Sequence, residues 1–155
     1  MIKRFINSVG YALNGIKIGI KEERNVRIDI TAMLFVWHLI PFYDFTTVEV
    51  GFIVFITFLI PAFELMNTAV ERAVYKPDNE HYMPAGAAKD TAAGAVFIVA
   101  IGAAVVGAMV FLQPDGLRNV LQFYTGNILH VIALVAYIIV AYFFITMDNY
   151  RKKDK

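Results

Sequence analysis

Two stretches of this chain, Thr91 to Pro114 and Ile128 to Met147, contain no Asp, Glu, Lys or Arg. About 20 apolar residues in a helix cross a hydrocarbon core of about 30 Å, and in that core each backbone polar group must find its partner within the segment. Both stretches therefore read as membrane-spanning helices. Composition supports this, with 59% hydrophobic and 17% charged residues over 155 positions and a mean hydropathy of +0.60. Soluble domains carry about 25% charged residues, so a solitary soluble domain is excluded.

The region Ile30 to Phe63 is less regular, because Asp44 and Glu49 divide it into two shorter uncharged runs. Pro41 and PFYDFTT supply turn residues there, and Tyr43 and Phe45 stand where an interfacial aromatic belt is expected. A helical hairpin results, its first helix from about Asp29 to Phe42 and its second from about Thr46 to Tyr75. One long kinked helix would leave both carboxylates in lipid.

Basic residues collect in cytoplasmic segments, which fixes the orientation. With four spans and both termini inside, thirteen of the fourteen Lys and Arg residues fall in the cytosol, leaving Arg118 alone in the outer loop from Gln113 to Asn127. The chain thus divides at about residue 112, and residues 113–155 hold the outer loop, a fourth spanning helix and the basic tail RKKDK. Lys17 and Lys21 interrupt any signal-peptide core in the first 27 residues. That segment reads as an amphipathic surface helix, with Phe5, Val9, Leu13, Ile16 and Ile20 on one stripe. Glu23 follows Ile16 by seven positions and falls on that apolar stripe, an unusual place for a carboxylate.

The clearest chemical signal is FELMNTAVERAVY. At about 100° per residue, Glu64, Asn67 and Glu71 share one helical face, and ionisable groups in a spanning helix mark functional sites by default. A second signal is AAKDTAAGAV, where Lys89 and Asp90 open the third span beside small residues that let helices approach closely. Each signal has a plain structural reading, as a packing cluster and as an interfacial anchor with a cap. Together they supply carboxylates for Mg²⁺, a further carboxylate as proton acceptor, and a lysine for a transferring phosphate. Phosphoryl transfer needs little beyond positioning and charge neutralisation.

Other chemistries lack their residues. The 14 basic and 13 acidic residues nearly cancel, so no nucleic-acid partner is expected, and the absence of cysteine removes thiolate sites and Cys nucleophiles. There is no GxxxxGK[ST] loop and no kinase Gly-rich loop or DFG. Ser8 lacks the context of a nucleophile, and His38 and His130 read as interfacial or packing histidines.

Three blocks, EERNVRI at 22–28, ELMNTAVE at 64–71 and HYMPAGAAKDTAAGAV at 81–96, resemble the bacterial integral-membrane diacylglycerol kinases and the related undecaprenol kinases, over roughly residues 5–112. The resemblance implies a lipid kinase of the bacterial inner membrane that moves the γ-phosphate of ATP to a lipid alcohol, with undecaprenol slightly favoured over diacylglycerol. It implies Glu64 as general base, Glu23 and Glu71 as holders of Mg²⁺ and phosphates, and Lys89 as the partner of the transferring phosphoryl group. Asn67 would orient the site and Asp90 would support the nucleotide or metal side. Relatives commonly carry an acidic residue where this chain has Tyr75, and Asp78 or Glu80 in YKPDNEHY is expected to supply that charge. Homotrimers with shared sites are implied too. The span beyond Gln113, absent from the shortest relatives, is expected to stabilise or set topology. A non-catalytic membrane protein and a small ion-coupled transporter are the competing classes, the latter disfavoured because Glu64 and Glu71 cluster with Lys89 toward one side.

Overall fold

The computed structural model describes residues 2–74 and 83–147, and among them every regular element is helical. The order is α1 (Ile2–Glu22), α2 (Arg24–Leu39) with a single 3-10 turn (Ile40–Phe42), α3 (Thr47–Ala73), α4 (Met83–Phe111), α5 (Pro114–Gly126) and α6 (Ile128–Thr146). Three of these are long and apolar enough to cross a membrane: α3, α4 from Ala85 to Phe111, and α6. The protein is an all-α, multi-pass membrane protein.

Local chemistry explains the element boundaries. A capping box starts α3: Thr46 Oγ1 accepts from the Glu49 backbone N–H at 3.3 Å, and the Thr46 N–H donates to Glu49 Oε2 at 2.8 Å. Glu49 is thus part of the cap. At the other end of the N-terminal half, α1 stops at Glu22 and Glu23 is extended (φ −109°, ψ 116°), so the stripe that seemed to run through Glu23 breaks one residue before it.

Two expectations are corrected. Residues 113–127 are mostly helix where an irregular loop is expected: Pro114 fits the first turn, Asp115 suits the N-terminal dipole, and Asn127 ends α5 in extended backbone. Polar and turn-forming residues at its start concealed the period of Leu117, Val120, Leu121 and Tyr124. In addition, α4 begins at Met83, so Lys89 and Asp90 lie in its second turn rather than at its start.

Helix α3 forms its most extensive interface with α4 and a second with α2. Helix α6 runs antiparallel along α2, because Arg27, at the start of α2, meets Ile145 and Met147 where α6 ends, and Thr31, further along α2, accepts at 2.6 Å from the hydroxyl of Tyr137, earlier in α6; the His38 ring near the end of α2 meets Tyr124 of α5. Helix α5 covers the turn between α2 and α3. There Gly116 lies flat against the Tyr43 ring, and Asn119 donates to the Phe42 carbonyl at 2.9 Å. The Tyr43 hydroxyl donates to Phe111 O at 2.8 Å, and burial pushes its phenol above the usual range.

Burial is reversed relative to a soluble fold. Among the described residues the buried set holds four polar side chains, Arg27, Thr57, Glu64 and Thr68, and three hydrophobic ones, Val26, Tyr43 and Ile53. Phe52, Phe55, Phe97, Ile98, Met109 and Ile138 all point outward. Such a surface is stable only where the surroundings are themselves apolar.

Candidate functional site

The C-terminal half of α3, the start of α2 and the end of α1 converge at one end of the bundle. Glu64 is only 6% exposed, and its Oε1 accepts from Asn25 Nδ2 at 2.8 Å. A carboxylate with so little solvent requires a partner, and the amide provides one. Asp29, one turn further along α2 than Asn25, is close enough for the charge of Glu64 to act on it. Thr68 turns its hydroxyl back to the Glu64 carbonyl at 3.0 Å, which leaves the carboxylate unobstructed by its own helix.

Asn67 and Glu71 occupy the same face of α3. The Oδ1 of Asn67 is buried and has no hydrogen-bond partner among the described residues, an acceptor held in place without a donor. Glu71 is half-buried and forms no hydrogen bond or ion pair with a described residue. One step around the helix, Arg72 Nη2 bridges Glu22 Oε2 at 3.0 Å and Glu23 Oε1 at 3.2 Å, tying the break between α1 and α2 to the end of α3.

Of the residues singled out from sequence, Glu23, Glu64, Asn67 and Glu71 are gathered here. Lys89 and Asp90 are exposed on α4 and hydrogen-bond to none of them. Asp78, Glu80 and Tyr75 lie outside the described residues, and the described ones include no cluster of three or more His, Asp or Glu side chains arranged for a metal ion. Asn25, Glu22 and Arg72 were not anticipated. Only the break at Glu23 turns Asn25 toward Glu64, and no helical period signals that break.

A helical membrane protein with a buried carboxylate, and with an amide oxygen that has no partner among the described residues, at one end of its bundle is built for polar chemistry at a bilayer surface. Residues 10–111 match the family described as prokaryotic diacylglycerol kinase. The diacylglycerol kinase of Haemophilus influenzae is 32% identical over 97 residues, covering 63% of this chain and 82% of its own length. The undecaprenol kinase of Bacillus subtilis is 32% identical over 111 residues, 72% of this chain and 90% of its own. A Synechocystis diacylglycerol kinase is 32% identical over 108 residues, 69% of this chain and 62% of its own. No solved structure matches the chain. The chain belongs to the prokaryotic diacylglycerol kinase family and is a lipid kinase, with ATP as the phosphate donor that a kinase implies. The competing structural and transport classes give way to this membership. Helices α5 and α6 lie beyond the matched residues.

Proposed function

We propose that this enzyme transfers the γ-phosphate of ATP, in a Mg²⁺-dependent reaction, to the hydroxyl of a membrane lipid alcohol, undecaprenol in preference to diacylglycerol. The observation that carries the reading is Glu64: nearly buried, held through one oxygen by Asn25, and on one face with Asn67 and Glu71. With Oε1 engaged, Oε2 accepts the proton of the lipid hydroxyl while the hydroxyl oxygen bonds to the γ-phosphorus and the bond to the β-phosphate oxygen breaks, releasing ADP. Lys89 offsets the charge on the transferring group, and Asp90, Asp78 and Glu80 contribute on the nucleotide side. Asn67 aligns the reacting groups through its amide.

The oxygen donors suit Mg²⁺, which takes one or two carboxylates together with phosphate oxygens and water. Glu71, without a partner among the described residues, and Glu23 would hold it, and the Asn67 oxygen, unpartnered among those residues, is a fitting third donor. When bound, the ion would supply neutralisation of phosphate charge. Preference for undecaprenol draws on ERNVRI and NTAVE, and on the longer alignment with the B. subtilis undecaprenol kinase.

Four crossings with both termini in the cytosol of a bacterial inner membrane complete the proposal. Helix α2 with its 3-10 turn covers 24–42, about 28 Å at 1.5 Å per residue, close to a hydrocarbon core of about 30 Å. Helix α1 lies in the cytoplasmic headgroup layer, its exposed Phe5, Leu13 and Ile16 entering the apolar boundary. A homotrimer would cover part of the open apolar face of α4, where a Cβ on Gly94, Gly102 or Gly107 would meet nothing within 4 Å.

The test is phosphate transfer from ATP by purified protein to vesicles containing one lipid alcohol at a time. Undecaprenol should give the highest kcat/KM and omission of Mg²⁺ should abolish turnover. A higher kcat/KM with diacylglycerol, or metal-independent transfer, contradicts the respective part.

A further inference from the structure

The most enclosed charged side chain among the described residues is one that the proposed chemistry does not use. Arg27 is 1% exposed, and its guanidinium donates to backbone carbonyls at the ends of two helices. Nη1 reaches Ile20 O at 3.0 Å and Lys21 O at 3.1 Å, in the last turn of α1. Nε and Nη2 reach Ile145 O at 3.3 and 3.2 Å, and Nη2 reaches Met147 O at 3.3 Å, where α6 ends. The last carbonyls of a helix have no partner within it and carry its negative dipole end, so a planar cation with five donors is suited to join two such ends.

What lies between these anchors is the break at Glu23. Ile20 and Lys21 precede it, Arg27 follows it, and within it Glu23 pairs with Arg72 while Asn25 holds Glu64. Helix α6, outside the residues matched to the family, therefore supplies part of the frame that fixes this break. A further hold of α6 on α2 is Tyr137, which donates to Thr31 O four residues beyond Arg27.

We infer that α6 is a positioning element for the MgATP end of the site and that Arg27 is the positioning residue through which it acts. The inference rests on the reading that Glu23 and Glu71 serve MgATP. Without the α6 carbonyls, the buried guanidinium leans more on its other acceptors, the α1 carbonyls bordering Glu23 among them. A change in that pull alters the direction of the Glu23 carboxylate before it disturbs lipid contacts on the spans.

The experiment compares full-length variants in lipid vesicles, reading KM for MgATP, KM for lipid, kcat and Tm. Arg27→Gln should raise the MgATP KM about tenfold, the scale of a lost charge-assisted hydrogen bond, and leave the lipid KM unchanged. Arg27→Lys, keeping the charge without the fork, should recover part of that loss. Tyr137→Phe should raise the MgATP KM about two- to threefold, and combined with Arg27→Gln it should add little, because both act along one path. Should Arg27→Gln fail to insert, Arg27→Lys and Tyr137→Phe give the same comparison. A lowered Tm with wild-type MgATP KM in these variants would make Arg27 a stability clamp and overturn the inference. Glu23→Gln is the reference: if it raises the MgATP KM while the Arg27 and Tyr137 variants do not, only this inference fails. If Glu23→Gln leaves that KM unchanged, the assignment of Glu23 fails and the inference with it.

Discussion

Asn25 shows how a single side chain sets the character of the site. Its hydrogen bond to Glu64 fixes one carboxylate oxygen, and in the proposed reaction the other takes the proton of the lipid hydroxyl. Asn25→Ala should therefore lower kcat about tenfold, the cost of about one hydrogen bond to a charged group, with the MgATP KM little changed. Steady-state kinetics with each substrate varied in turn checks the split, and a loss confined to the MgATP KM would place Asn25 elsewhere in the cycle. Glu64, Asn67 and Glu71 were legible in the sequence because one continuous helix carries them and its period brings them together. Asn25, Glu22 and Arg72 were not legible, because their meeting depends on three helices and on one extended residue. The seven-residue interval from Ile16 to Glu23 suggested a helix continuing through the break.

At the level of elements, α4 and α6 were readable because length and freedom from charge leave a spanning helix little alternative, and α3 because the turn residues of PFYDFTT mark where it begins. Helix α5 was not, since Pro114, Asp115 and Gly116 have the composition of a turn and its apolar residues serve a tertiary contact. Its docking relies on Gly116, where any side chain would collide with the Tyr43 ring. Gly116→Leu should lower stability by about 1–3 kcal/mol, the usual cost of overpacking, and leave the MgATP KM unchanged. Thermal unfolding in detergent measures the first and kinetics the second. Wild-type stability would indicate that α5 does not pack on this turn.

On the scale of the whole molecule, the few buried side chains among the described residues are more polar than apolar, large apolar ones stand exposed, and the proposed catalytic groups lie between Glu23 and Asp90. Deleting residues from Gly126 onward should leave a protein that inserts and keeps detectable kinase activity, with lower Tm and weaker MgATP saturation as the α6 anchors on Arg27 and Thr31 are lost. Insertion with complete inactivity would place α6 within the catalytic unit itself. The central claim is that Glu64 removes the proton from a lipid hydroxyl, and the most direct measurement is transfer of labelled γ-phosphate from ATP into extracted lipid by Glu64→Gln beside the wild type. The account predicts Mg²⁺-dependent labelling of the lipid by the wild type and none above background by Glu64→Gln, which retains its fold and its affinity for ATP. Labelling by Glu64→Gln at a substantial fraction of the wild-type rate would contradict it.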